Sequence, residues 1–298
     1  MTKSPDSRPA VAPAAAIVLA AGLGTRMNSR LPKVLHPLAG RPMIQMLLES
    51  ITEAGVEKTV VVVGNGAEAV TAAVAPHATA VQAEQLGTGH AVLQARDLLC
   101  GRDKDQFDGD VLIVFGADPL ITPETLRAML ARRRGDDAPA VVVLGFRPHD
   151  PALYGRLKTD ASGALEAIVE ARDATAEERA IGLCNSGVMC VAGKHLFQLL
   201  ARVGNDNAKA EYYLTDIVAL ARADGLGCAV IEGAADELIG IDDRAGLADA
   251  EKIVQGRLRR RAMEAGATLT DPDTVYFSFD TRLGRDVSVG PNVVFGPG

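Results

Sequence analysis

Unbroken apolar runs of four or five residues recur along the first half of the chain: Ala16–Leu19, Val60–Val63, Val111–Phe115 and Val141–Leu144. Gly22 and Gly24 follow the first, and Gly64 follows the second. Runs this short and uniform predict strands buried on both faces, because a strand with one wet face alternates apolar and polar residues. Between them lie stretches of helical periodicity, Met43–Glu53, Gly89–Leu99 and Pro123–Arg133. The last has Thr122 at the N-cap, Pro123 at the first helical position and Gly135 beyond its end, residues that favour those boundary positions. Strands alternating with helices predict an α/β fold, a doubly wound and mostly parallel sheet with right-handed crossovers. Such sheets bind ligands beyond the carboxyl ends of their strands, so the loops after Leu19 and Phe115 are the expected seats of function.

The remainder of the chain has a different rhythm. From Leu247 to Ala265 a helical pattern sets Ile253, Val254 and Leu258 on one side and carries Arg257, Arg259, Arg260 and Arg261, which read as a solvated face. Leu283-Gly284, Val289-Gly290 and Phe295-Gly296 then recur every six residues, with Val287, Val293 and Val294 between them. That is the hexapeptide pattern of a parallel β-helix. Three hexads make one triangular coil, and one coil cannot bury its own apolar face. The expected organisation is a disordered tail over 1–13, an α/β domain over 14–246, a helical link over 247–282 and the opening of a truncated β-helix over 283–298. Lys3 and Arg8 ahead of Ala10–Ala21 imitate a secretion signal. Pro13 interrupts that stretch and it runs directly into the glycine turn, so a cytoplasmic location is expected.

Composition narrows the function. The 298 residues are 48% hydrophobic and 23% charged, with 31 Lys plus Arg against 38 Asp plus Glu, a formal charge of −7. No basic excess exists to displace counterions from a nucleic-acid backbone, so any anionic ligand must be held by local groups. Cys100, Cys184, Cys190 and Cys228 include no CxxC pair and read as small hydrophobes of a reducing compartment. The five histidines, His36, His77, His90, His149 and His195, lack metal-ligand spacing. No apolar run approaches the roughly 20 residues that span a bilayer.

The loop after the first strand carries the chemistry. It reads Leu19-Ala20-Ala21-Gly22-Leu23-Gly24-Thr25-Arg26-Met27, followed by Leu31-Pro32-Lys33-Val34-Leu35. Gly22-x-Gly24 alone is a weak signal, lacking the third glycine of a dinucleotide fingerprint and the Gly-Lys-Ser/Thr of a P-loop. Its weight comes from the cations downstream. A glycine turn admits phosphate close to backbone N–H groups, Arg26 can grip it bidentately and Lys33 can add a mobile point charge.

This combination resembles the sugar-1-phosphate nucleotidyltransferase family. Gln82-Ala83-Glu84-Gln85-Leu86-Gly87-Thr88-Gly89-His90, Tyr154-Gly155-Arg156, Ile168-Val169-Glu170, Asn185-Ser186-Gly187 and Glu211-Tyr212-Tyr213-Leu214-Thr215-Asp216 narrow the likeness. From Ala14 onward the chain is similar to the uridyltransferase half of the bacterial bifunctional N-acetylglucosamine-1-phosphate uridyltransferases/glucosamine-1-phosphate acetyltransferases. The resemblance implies a Rossmann-like fold of the nucleotide-diphospho-sugar transferase type, ending in one coil of a left-handed β-helix. It implies a reaction that joins UTP and N-acetylglucosamine 1-phosphate into UDP-N-acetylglucosamine and pyrophosphate, supplying cell-wall and lipopolysaccharide precursors. The acetyltransferase activity is expected to be absent. The partners implied are these small molecules and Mg²⁺, with neither nucleic acid nor membrane, in a protein that can form homo-oligomers.

By the same resemblance Arg26 and Lys33 are catalytic, holding the triphosphate and its pyrophosphate leaving group. Leu19, Ala20, Ala21, Gly22, Gly87 and Thr88 enclose the base, and Gln82, both donor and acceptor, meets the uracil edge. Gly155, Glu170 and Asn185 fall to the sugar, Gly116 and Asp242 to the substrate, and Asp118 with Asp242 to the metal. Tyr212, Tyr213 and Thr215 shape the wall without binding directly.

Two positions depart from the family pattern. Where Gly-Asp-x-Pro-Leu is expected, the chain has Gly116-Ala117-Asp118-Pro119-Leu120. One residue along an extended segment moves a side chain about 3.3 Å and turns it to the other face. Asp242 stands where the family has Asn, a benign exchange because magnesium takes hard oxygen ligands. The alternatives to the uridylyl transfer are a nucleotide-sugar-binding module that has lost turnover, and a transferase for another sugar phosphate.

Overall fold

The computed structural model describes residues 12–102, 104, 106–151, 154–207 and 209–298. Most of the tail expected over 1–13 therefore lies outside the described residues. The strands are β1 Ala14–Ala20, β2 Pro37–Leu38, β3 Arg41–Pro42, β4 Lys58–Val63, β5 Ala78–Val81, β6 Asp110–Phe115, β7 Val141–Phe146, β8 Arg156–Thr159, β9 Leu165–Val169, β10 Cys184–Ala192, β11 Cys228–Glu232, β12 Thr268–Leu269 and β13 Ser288–Val289. The helices are α1 Met43–Glu53, α2 Ala67–Val74, α3 Thr88–Gln94, α4 Arg96–Cys100, α5 Pro123–Arg133, α6 Ala176–Arg179, α7 Gly193–Leu200, α8 Asp216–Ala223 and α9 Arg244–Glu264.

The main sheet runs β11-β7-β10-β6-β1-β4-β5, with the β8–β9 ribbon attached through β10. All seven residues of β1 are buried, and they serve two cores alternately. Ala16, Val18 and Ala20 belong to the core on one face of the sheet, Ala15, Ile17 and Leu19 to that on the other. Helices cover both faces, which is why the run carries no polar residue. The sheet is mostly parallel, but besides the antiparallel β8–β9 ribbon its centre holds an exception that the apolar runs do not reveal. β10 lies between β6 and β7 and is antiparallel to both. Its amino end, Cys184–Gly187, therefore lies on the side where its neighbours end.

Local signals set several boundaries. α5 begins at Pro123 with the Thr122 hydroxyl accepting from the Thr125 amide at 3.3 Å. The helix expected over Gly89–Leu99 is divided at Ala95, whose amide bonds back to Val92 O at 3.1 Å in a tighter turn. Among the described residues no helix is long and apolar enough to cross a membrane.

The last helix departs from the expected pattern at both ends. Asp243 caps it, accepting from the Gly246 amide at 2.8 Å, so α9 starts at Arg244 instead of Leu247. It stops at Glu264, and the chain to residue 282 is not the helical link the sequence suggests. Thr268 and Leu269 already pair in parallel with Ser288 and Val289, and Tyr276 bridges Val294 eighteen residues on. Phe277 and Phe295 stack with centroids 5.3 Å apart. Leu258 and Ala262 of α9 pack against Leu269, Val275 and Val289, so the helix covers this small apolar cluster.

The arginine run divides in the same way. Arg259 is mostly buried, donating to Val275 O at 2.8 Å and lying over the Tyr276 ring, while Arg257 donates to Leu120 O at 2.7 Å. These two tie the helix to its neighbours and only Arg260 and Arg261 form a solvated face. Gln255 is buried and clasps Phe277 at both backbone atoms, each at 2.7 Å. Gln255→Leu strands one buried amide and one carbonyl, and is expected to cost about 2–4 kcal/mol. A denaturant titration reads the loss, and an unchanged midpoint would refute the clasp.

Candidate active site

Beyond the carboxyl ends of β1 and β6 a cleft of about 230 Å³ opens. Leu19, Ala20, Ala21 and Gly22 form one wall, Pro32, Lys33 and Val34 another, and Gln82, Gly87 and Thr88 a third. A larger recess of about 590 Å³ adjoins it, and Thr88, Phe115 and Glu211 line both. Arg26, Glu170 and Asn185 belong to the second recess. Eleven of the residues singled out in the sequence thus converge on two connected hollows. Gly116, Gly155, Asp118 and Asp242 line neither. Gly116 faces the core, where a Cβ would stand 3.1 Å from Val34 and 3.3 Å from Ile44, and Gly155 supplies its carbonyl to the Asn185 amide at 2.8 Å.

Two glycines make this architecture possible. Gly24 has φ +61° and a Cβ there would meet the Lys33 Cβ at 2.8 Å, so only glycine lets the lysine loop close on the first turn. Gly87, at φ +110°, leaves 2.6 Å for a Cβ against Tyr212 O. There the 84–89 loop is laced to the other side of the cleft: Tyr212 N donates to Leu86 O, Gly89 N to Tyr212 O, and Leu214 N to the Thr88 hydroxyl at 3.0 Å.

The cations of the two hollows meet on one carboxylate. Arg26 Nη2 lies 2.8 Å from Asp242 Oδ2 and Lys33 Nζ 2.9 Å from Oδ1. Burial pushes Asp242 upward, but the hydrogen bond and charge of Lys33, joined by Arg26, outweigh it and hold the carboxyl below its ordinary range. Asp118 behaves oppositely. Ala117 lines the cleft, whereas Asp118, 8% exposed, is packed beside Gly240, and Ile241 N donates to Ala117 O at 3.3 Å. Burial raises its pKa to about 7, with Lys33 opposing and the like charge of Asp242 adding.

Gln82 is buried, and its amide nitrogen is already engaged by Gly87 O and His90 Nδ1, each at 3.1 Å. His90, Phe115, Gln85 and Glu211 join the site only through the fold. His90 lies within the quoted motif, yet only its contact with Gln82 reveals a role. Burial raises the Glu170 carboxyl, Lys209 opposes this, and Asp173 and Asp216 add to it. Asn185 Oδ1 accepts from Gly187 N at 2.9 Å, which sets the amide at the rim of the recess.

Arg156 is a further residue whose part emerges only from the fold. It is 3% exposed and, among the described residues, pairs with no carboxylate. Its guanidinium donates to Pro151 O at 2.7 Å, to Tyr154 O and to Arg179 O at 3.4 Å, fixing the turn that holds Asn185 through Gly155. Arg156→Lys has too few donors in the wrong geometry for this task. It is expected to raise KM for the ligand of the larger recess about tenfold and to change kcat less, and steady-state kinetics will test the split.

No group of three or more His, Cys, Asp or Glu side chains is assembled for a metal among the described residues. Asp118 and Asp242 nevertheless offer hard oxygen donors, and their mutual repulsion is what a divalent cation relieves.

The model of the MobA-like NTP transferase domain matches residues 16–209, which include both cations and most of the lining of the cleft and the recess. The chain belongs to the MobA-like NTP transferase domain family. Its relatives are called bifunctional protein GlmU. That of Rhodospirillum rubrum is 64% identical over 274 residues, covering 92% of this chain and 60% of the relative. Those of Paramagnetospirillum magneticum and Sphingopyxis alaskensis are 59% and 55% identical, covering 95% and 96% of this chain and 62% of each relative. The chain thus spans about three fifths of the length of these curated relatives. The glycine turn, Arg26 and Lys33 all fall within the shared NTP transferase domain.

Proposed function

We propose that this protein transfers a uridylyl group from UTP to N-acetylglucosamine 1-phosphate, releasing pyrophosphate. One observation carries the reading: Arg26 of the sugar-sized recess and Lys33 of the adjoining cleft converge on Asp242 from the two hollows. Cations so placed stand where the phosphates of two substrates would meet.

The attacking group is a phosphate oxygen already ionised at neutral pH, so no general base is needed and catalysis rests on positioning and charge neutralisation. The glycine turn and Gln82 receive the nucleoside, and Glu170 and Asn185 orient the sugar hydroxyls. Arg26 and Lys33 then exchange Asp242 for phosphate oxygens, aligning the two substrates and neutralising the pyrophosphate as it leaves. Asp118 and Asp242 would hold Mg²⁺, which supplies further neutralisation of phosphate charge when bound.

The hexapeptide pattern, the eighteen-residue spacing of Tyr276 and Val294 and the Phe277–Phe295 stack support residues 268–298 as the first, successive coils of a left-handed β-helix. A cytoplasmic setting suits Cys184, Cys190 and Cys228, buried thiols outside any disulfide.

Pyrophosphate release from UTP plus N-acetylglucosamine 1-phosphate, with and without magnesium, tests the proposal. Metal-dependent turnover is expected. Calorimetric binding of UDP-N-acetylglucosamine without turnover would replace the transferase by a binding module, and turnover confined to another sugar phosphate would change the substrate.

A further inference from the structure

Behind the cleft, on the other side of the 117–121 segment, lies a groove of about 340 Å³ that shares no lining residue with either hollow. Ala117 faces the cleft while Pro119 and Ile121 face the groove, and Lys33 lines the cleft while Arg41 lines the groove. Helices α1 and α9, the start of α5 and the chain around Phe279 enclose it.

Four guanidinium groups border this groove: Arg41, Arg257, Arg261 and Arg282. Three carboxylates do as well, but Glu49 is paired with Arg41 and Glu124 with Arg127, leaving Glu53 at the rim. Arg257 is 3.8 Å from Asp236, and Arg282 donates to the carbonyls of Phe279 and Thr281 while its charge acts on the neighbouring Asp280. Arg261 is exposed and, among the described residues, has no carboxylate partner. The Arg41 guanidinium lies 5.0 Å over the Phe279 ring, and its Nε is buried without an acceptor. The amino end of α5 adds little, because the Thr122 hydroxyl already caps it. Met46, Val254, Leu258 and Phe279 supply an apolar wall.

We propose that this groove is a second anion site, taking a phosphorylated small molecule. Its phosphate lies among Arg261, Arg282 and Arg257, and its uncharged body lies on Phe279 and Leu258. The volume is in the range of small-molecule sites, and planar guanidinium groups suit phosphate oxygens.

Calorimetric titration with inorganic pyrophosphate at 0.15 M salt tests it. Wild-type protein is expected to bind two equivalents. R26A/K33A should keep the groove equivalent and lose the cleft one. R261Q/R282Q, altered at exposed side chains, should keep the cleft equivalent and weaken the other about tenfold or more, the effect of removing charge-assisted hydrogen bonds. If R261Q/R282Q titrates like wild type, or R26A/K33A binds nothing, the groove is not an anion site. A wild-type titration with one equivalent, lost in R261Q/R282Q and kept in R26A/K33A, would uphold the groove and overturn the cleft. R282Q alone, compared at matched circular dichroism, replaces the double variant if that does not fold.

Discussion

Lys33→Ala is expected to lower kcat/KM for the proposed uridylyl transfer about a thousandfold. Removing a preorganised donor from developing charge costs about 10²–10³, and here a second effect adds to it. Lys33 is the one cation among the described residues lining the cleft, and it also neutralises Asp242 at 2.9 Å. Without it Asp242 presents an uncompensated charge to an anionic substrate. Arg26, whose side chain is 65% exposed, is more strongly screened, and Arg26→Ala is expected to cost nearer a hundredfold. Because both cations share one carboxylate, adding Asp242→Asn to Lys33→Ala should cost less than the two separate losses combined. Pyrophosphate-release kinetics on wild type, the three single variants and the double variant decide the matter, and Lys33→Ala within threefold of wild type would remove the lysine from the mechanism.

Asp118→Asn is expected to stabilise the metal-free protein strongly at pH 8 and hardly at all at pH 4. Burial raises the folded carboxyl to about 7 from an ordinary value of 3.8. Between those values the native state keeps a proton that the unfolded state has released, so stability falls as pH rises through this window and levels off above it. A shift of this size corresponds to at most about 4 kcal/mol. Asparagine is neutral throughout, so the variant should gain about 2–4 kcal/mol at pH 8, where wild type buries a charge. Denaturant titrations at the two pH values measure the difference. Magnesium should stabilise wild type more than the variant at pH 8. An equal gap at both pH values would show that Asp118 does not titrate in this window.

What the sequence reveals and what it conceals divide along the range of the interactions. The limits of α1 and α5 follow from residues at or next to their ends, so Met43–Glu53 and Pro123–Arg133 are legible from pattern alone. The glycine turn, Lys33, Gln82 and Thr88 are legible as a set because they sit in two short motifs. The antiparallel placement of β10 depends on partners more than seventy residues upstream, such as Ile113 opposite Met189, and no local period encodes it. Arg257 and Arg259 resemble Arg260 and Arg261 in the chain and differ only through what α9 packs against. The environment of Asp118 needs residues 240–242 folded over it, which motif spacing cannot convey.

The placement of β10 also has a consequence for how the molecule is made. β5, β4, β1 and β6 form one parallel block, β7 and β11 another, and in the main sheet order only β10 touches both. During synthesis the first block is complete once Phe115 has emerged, but the edge of β6 has no partner until residues 184–192 follow, about seventy residues later. An unpaired apolar strand edge is a template for pairing with another chain. The nascent protein therefore passes through an interval in which chaperone cover of that edge matters most, and pulse-labelled hydrogen exchange should find the β1 and β4 amides protected before those of β7.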